Sequence, residues 1–574
     1  MVKKIIAGLI FLLFIIDGFS QQTLYISPNG SGTAFTENNP GSLDNLNAKL
    51  KQNPSKKTIV FLKGGTYLPA QPFVIDNDIA GNKTDTIIFS GMKGEKAILS
   101  GGRKATKWVK AGNGMFKSQL PKGTDFRQLY VNGKMAVRAR TPNREDEYDF
   151  SPYFRELRFD GKNKTILVNA SEVGEWKNLQ QVEMVLHQHW YQSRVKIESV
   201  SINKDTAVVT PLQPARNHLF TLTYAGLLNP GKPYYFENAI EFLDQDGEWY
   251  LNRDEAVLYY KPRPNEDIHQ IEVIYPVMDM VVQIKGQPEK PVHNVSFRNI
   301  EMAYGNWTIP SRDGIIASQA VQARGYSIET AILQVDFARN VTIENCNIFC
   351  AGAHGIVFGK GVKNSNVVSC HIDQISANGI VIDTHKKSFP PDSLFCTDNR
   401  IAHNLIENTG MHYTNGMGIL ASCIARLVVE NNEIRFARYS GMQIGNHYGD
   451  NLSGMRDNLI CRNNIHHVLM LHDDGGAIYT LAVQPGTKIL RNWMHDFEKA
   501  KWSDSFPTNG VFLDNNSGYI RIQDNVMTDL KNVDLIKEQY AGNSTTRDNL
   551  LINNNTQDKE VKEGAGPKEK VGVQ

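Results

Sequence analysis

Short alternations of apolar and polar residues run along most of this chain, and from about residue 278 they recur as a phrase. Two apolar residues flank a polar one. A second polar residue follows, then Asn or a near relative, then another apolar residue. Copies are Val295-Ser296-Phe297-Arg298-Asn299-Ile300, Val341-Thr342-Ile343-Glu344-Asn345-Cys346, Leu427 to Asn431, Leu459 to Asn463, Ile489 to Asn492, Ile520 to Asp524 and Leu550 to Asn554. From Asn431 the anchors step by 32, 29, 32 and 30 residues. A second phrase, Gly-apolar-any-apolar, lies between them at Gly355 to Phe358, Gly379 to Ile382, Gly441 to Ile444 and Gly510 to Leu513. Such short period-2 runs predict strands with one face turned inward. Asn and Gly tolerate the positive φ of a tight corner, and stacked Asn side chains can satisfy one another's amides. Short strands at a coil length of roughly 30 residues, with no helical spacers, predict an all-β fold, a right-handed parallel β-helix. A propeller would need blades of about 40 to 45 residues with other signatures.

The N-terminal half carries similar strands at Leu24 to Ile26, Thr58 to Leu62, Phe73 to Ile75, Thr86 to Phe89 and Ala97 to Leu99. Ser42 to Gln52 reads as an amphipathic helix with Ser42 as N-cap, suited to closing the open end of a solenoid. Between about 105 and 277 the repeat disappears. Strand formers and turns replace it, including the hairpin signal Asn132-Gly133. The expected organisation is residues 21–104 as cap and first coils, 105–277 as an inserted β-rich domain, 278–556 as the main solenoid and 557–574 as a mobile tail.

Composition changes this picture little. At 574 residues the length alone suggests three or four domains, but the repeat assigns most of them to one elongated body. Lys plus Arg total 62 and Asp plus Glu 60, a net charge of +2, which argues against a nucleic-acid binder. Lys3 and Lys4, the apolar run Ile5 to Ile16 and the breakers Asp17 and Gly18 have the shape of a secretory signal over residues 1–20. Twelve residues rise only about 18 Å as a helix, short of a roughly 30 Å hydrocarbon core. The mature protein is therefore expected to be exported to the periplasm or beyond, without a membrane span and as a monomer. All six cysteines fall inside the repeat, several in apolar slots, and read as buried thiols.

Several stretches carry a family resemblance. They are Gln128-Leu129-Tyr130-Val131-Asn132-Gly133 with Arg138-Ala139-Arg140, His189-Trp190 with Ser193-Arg194, Gly247-Glu248-Trp249-Tyr250 with Leu258-Tyr259-Tyr260, and Asp474-Gly475-Gly476-Ala477-Ile478-Tyr479. Together, over about residues 24 to 560, the chain resembles the right-handed β-helix proteins of glycoside hydrolase family 141, which contains α-L-fucosidase and xylanase activities. The resemblance implies exported degradation of a plant, algal or host glycan. It also implies acidic catalytic residues in the solenoid, which by matching motif fall on Asp473-Asp474 and Asp514.

Glycoside hydrolysis commonly needs two carboxyls about 5 to 10 Å apart. If Gly476 stacks on Gly510, an extended chain would hold Asp474 about 20 Å from Asp514, so the pairing requires a bulge or turn at Asp473 to Gly476. The bland alternative for Asp514 is a turn residue, since Asp383 holds the same place after Gly379 to Ile382. His447, His472, Tyr479, Trp502, His189 and Trp190 are candidate sugar-binding groups, aromatic rings suiting the C–H face of a sugar. No metal site and no cofactor is expected. Two rivals remain: a polysaccharide lyase, which would want clustered Ca²⁺ carboxylates and a basic residue, and a non-catalytic carbohydrate-binding solenoid.

Overall fold

The computed structural model describes residues 21–52, 56–221, 229–318, 322–323, 326–327, 330–383, 391, 393–445, 454–502, 506–538, 550–554, 557–569 and 571–573. The expected signal segment and the candidate His447 lie outside them. Three long sheets wind around one core. Sheet I has twelve strands from Gln21–Ile26 to Leu550–Ile552. Sheet II has ten, from Phe73–Asp76 to Asp534–Glu538, and sheet III ten, from Gly65–Tyr67 to Val526–Lys531. All pairings along them are parallel, as at Val428↔Leu459 and Glu433↔Asn464. Inward residues such as Val429, Ile460, Ile489 and Ile522 stack coil upon coil and are fully buried. Each contributes about 1.5–3 kcal/mol relative to exposure. The first coils are continuous with the main solenoid: Val282 pairs with Phe73 on one side and Leu333 on the other.

The corner from sheet I to sheet III is tight and repetitive. The residue entering it is left-handed in every coil from Asn299 to Asn553, including Ser369 (φ 54°), His403 (φ 56°), Arg462 (φ 53°) and Arg491 (φ 54°). Each costs on the order of 1–2 kcal/mol. The next residue offsets that cost. Asn404, Asn432, Asn463, Asn492, Asn525 and Asn554 form a ladder in which each amide N–H donates to the next Oδ1 at 2.9–3.0 Å. Backbone N–H groups such as that of Asn432 donate to the same oxygens. The ladder therefore runs one residue later than the anchors at Asn431 and Asp524, which are instead left-handed corner residues.

The helix Leu43–Gln52 buries Leu43, Leu46 and Leu50 at the end of the core, and Asn45 N–H donates to Ser42 Oγ at 3.2 Å. The six cysteines are buried and free. The inserted region is antiparallel except where Val137–Arg138 pairs parallel with Glu248–Trp249, and its Asn132-Gly133 hairpin joins Tyr130–Val131 to Lys134–Met135 with φ 50° and 72°. Strand Tyr191–Asn203 also pairs with Ile315–Ser318, so the solenoid lends a strand to the inserted sheet. A buried cluster bolts the two together. Arg127 pairs bidentately with Glu183 at 2.6 Å, Arg138 bridges Glu183 and Glu237, and Arg194 joins Glu237 to the carbonyl of His412.

The C-terminal segment is not the mobile tail its composition suggested. Helix Lys559–Gly564 is capped by Asp558 and buries Val561. The chain then lies lengthwise along the corner: Gly566 N–H donates to Arg462 O at 2.9 Å, Gly572 N–H to Ser369 O at 2.8 Å and Val573 N–H to Asn347 Oδ1 at 2.9 Å. Carbonyls of the corner residues give it a template that composition does not reveal.

Candidate active site

The opposite corner, from sheet III to sheet II, carries longer loops against the inserted domain. Asp473 and Asp474 end one loop, just before strand Gly475–Thr480, and Asp514 follows strand Thr508–Leu513 of the next coil. Gly476 lies opposite Asn509, and Ala477 rather than Gly476 takes the level of Gly510. Gly475 and Gly476 are needed for close approach. A Cβ on Gly475 would stand 2.5 Å from Ser440 Oγ. One on Gly476 would stand 2.8 Å from Ile478 O and 3.1 Å from the backbone N of Phe512. Asp474 is left-handed (φ 59°), and its N–H donates to Pro507 O at 2.8 Å. The chain here is turned in on itself rather than extended.

The three carboxylates have different surroundings. Asp514 Oδ2 accepts from the Tyr479 hydroxyl at 2.6 Å and from Asn515 Nδ2 at 2.9 Å, while its Oδ1 is buried without a hydrogen-bond partner. Burial raises its pKa, against the lowering pull of those donors. Asp474 Oδ1 is also buried and unbonded. Burial, then the charge of Asp514, then that of Asp473 push Asp474 well above the usual carboxylate range. The charge of Asp514 thus acts on Asp474. Asp473 is fully buried and bound differently, both its oxygens facing His189 Nδ1 at 3.0 and 3.2 Å.

Asp383 makes the turn alternative concrete. It is also buried, but sits at φ 63° and accepts a backbone N–H from Cys423 of the next coil at 3.0 Å. Asp514 accepts from the side chains of Tyr479 and Asn515 and keeps one oxygen unbonded.

The remaining candidates divide. Tyr479 holds Asp514. Trp502 donates its indole N–H to Leu471 O at 2.7 Å and stacks on His189 at 5.9 Å, and Trp190 meets Phe506 edge-on at 5.5 Å. His472 is fully buried, bonded to His189 O through Nδ1 and to Thr414 Oγ1 through Nε2 at 2.8 Å. Burial lowers it to about 4, so the ring is neutral and both nitrogens are engaged. It joins the inserted domain to the solenoid and presents nothing to a sugar. His189, 1% exposed, is likewise internal. Lys232 is the residue the sequence did not flag. Its ammonium lies 3.1 Å from His189 Nε2 and 6.0 Å from the Trp502 ring centre.

One trio among the described residues could hold a metal, His371, Asp373 and Glu407 on the outer face of sheet III. Its members bond one another and their neighbours, Glu407 to His371 at 2.8 Å and to Arg435 at 2.7 Å, and Asp373 to Asn408 at 2.8 Å. A cavity of about 750 Å³ opens between Tyr148 of the inserted domain and His467, Phe497, Lys499 and Leu530 of the solenoid.

Residues 111–263 match the family model described as the GH141 insertion domain. A solved structure described as a glycoside hydrolase superposes on 96% of this chain and 99% of its own, with a TM-score of 0.86 and 26% identity. The chain is a glycoside hydrolase with the GH141 insertion domain. Fainter likenesses are to XylC in complex with xylose (TM-score 0.47, 10% identity, 93% of this chain and 86% of that one) and to a GH136 lacto-N-biosidase from Eubacterium ramulus (TM-score 0.38, 10% identity, 92% and 68%). No curated protein sequence matches the chain. Among the described residues of this hydrolase, no helix is long and apolar enough to cross a membrane.

Proposed function

We propose that this hydrolase cleaves a glycosidic bond in a plant, algal or host glycan between Asp474 and Asp514, after export and removal of residues 1–20. The observation that carries the reading is the pair of buried carboxyls, each with one unbonded oxygen, the charge of Asp514 acting on Asp474. Asp474 is the general acid. A carboxyl pushed well above its ordinary range holds its proton to higher pH and can pass it to the leaving oxygen. Asp514 is the base or nucleophile. The Tyr479 hydroxyl and the Asn515 amide hold Oδ2 in its charged form and leave Oδ1 to attack or to take a proton from water. Trp502 and Trp190 supply the apolar faces on which a sugar packs, and α-L-fucoside or xylan-type substrates are the first to try.

The test is release of reducing sugar from aryl glycosides and plant or algal oligosaccharides. Wild type should release it, and Asp474→Asn and Asp514→Asn should lose about 10²–10⁴-fold. Full activity in both variants would reject the assignment. Unsaturated-ring products would make the enzyme a lyase.

A further inference from the structure

Lys232, His189 and Asp473 form a buried line that ends beside Asp474. His189 sits in the turn between strands Glu183–Gln188 and Tyr191–Asn203 of the inserted domain, in a left-handed conformation (φ 40°) that a non-glycine residue adopts only when held there. It is held at both ends. An ammonium group has donors and no acceptor. Lys232 Nζ, 3.1 Å from Nε2, must therefore donate to that nitrogen. The ring proton is thereby assigned to Nδ1, which points at both oxygens of Asp473. His189 O also accepts from His472 Nδ1, fixing the backbone of the turn to the loop that carries Asp473 and Asp474. All three side chains are more than nine-tenths buried, and two of the three belong to the inserted domain.

We propose that Lys232 and His189 are positioning residues through which the inserted domain fixes the charge of Asp473 beside the reacting acid Asp474, and so controls the proton that Asp474 donates. This rests on the reading of Asp474 as the acid. Asp473 is then not a reacting group but the source of a fixed negative field. That field is one of the three causes that keep the proton on Asp474, with burial and Asp514. Other groups complete the surroundings. Tyr439 donates its hydroxyl to Asp474 O at 2.7 Å, and Tyr479 holds Asp514. His472 is kept neutral by burial. Glu156 is buried near Lys232, which pulls against the burial that pushes its carboxyl up to about 8.

The pH profile of kcat/KM separates this role from a merely structural one. The acid must be protonated, so its titration forms the basic limb. Asp473→Asn keeps the shape and the Nδ1–H contact but removes the charge, and the basic limb should move to lower pH. His189→Leu removes the Nδ1–H that holds the Asp473 carboxylate in place, and should move the limb the same way. His189→Gln can accept from Lys232 and donate to Asp473, and should restore the wild-type profile. Lys232→Met removes the donor that fixes the His189 tautomer and with it the Nδ1–H contact to Asp473, and should again move the limb down. Thermal melting of each variant checks folding. Wild-type profiles in both Asp473→Asn and His189→Leu would overturn the proposal. So would a His189→Gln profile that follows His189→Leu. If His189→Leu fails to fold, the isosteric Asp473→Asn decides. Failure of the acid reading itself shows separately, as full activity in Asp474→Asn.

Discussion

Two regions of each coil treat the buried polar group in opposite ways. At the corner from sheet I to sheet III, every buried amide of the Asn432 to Asn525 ladder has donors and acceptors from the coils on both sides. At sheet II, where Asp474 enters one strand and Asp514 leaves the strand of the next coil, both carboxyls are buried with an oxygen left over. The first arrangement lowers the free energy of the fold. The second raises it, because an unpaired buried acceptor costs about 1–3 kcal/mol, more when charged. A solenoid separates the two without conflict: one edge stabilises every coil, so the other can hold groups in states that water would not allow.

The largest expected break in this contrast is catalytic. Asp514→Asn should lower kcat by about 10²–10⁴-fold, measured on the best aryl glycoside, with no fall in melting temperature. Asn463→Ala should do the reverse. It strips the Asn432 N–H and amide of their acceptor and Val429 O of a donor. The expected loss is about 2–5 kcal/mol in chemical denaturation, with kcat unchanged. Tyr479→Phe sharpens the comparison inside the active corner. Without the hydroxyl, Asp514 binds its proton more tightly, so the acid limb of kcat/KM should move to higher pH and activity below it fall about tenfold. The smallest effect is thermodynamic. The folded-state pKa of Asp474 lies above its unfolded value. Its charge therefore costs stability at high pH, and the cost is relieved as pH falls through the folded pKa. Asp474→Asn should melt a few degrees higher than wild type near pH 8, and the gain should vanish towards pH 4.

The stabilising corner was far more legible in the sequence than the reactive one. A ladder repeats, and repetition is what a single sequence displays; even so, the Asn431-Asn432 and Asn553-Asn554 doublets hid which member faces inward. The carboxyl pair was legible only through its glycines, whose missing Cβ atoms allow the turn at Gly475-Gly476. Lys232 was invisible. It follows Gly231 and precedes Pro233 in what reads as an ordinary turn, and its partner His189 meets Asp473 across 284 residues. Burial also reversed an expectation: His472, read as a sugar contact, is a neutral bolt between domains. Such contacts depend on how an irregular domain docks, and no period in the chain encodes that.

The C-terminal segment has a mechanical meaning. In a stack of coils each layer touches only its neighbours, so such a fold can in principle fray from an end one layer at a time. A strap fastened at Arg462, Ser369 and Asn347 spans several layers at once. It works like the spine of a book: no page in that span can lift without straining the binding. With the Lys562 ammonium also 5.9 Å from the Trp493 ring centre, the coils from Asn347 to Trp493 are tied into one block, and the loop that carries Asp473 and Asp474 stands on that block rather than on an independent leaf.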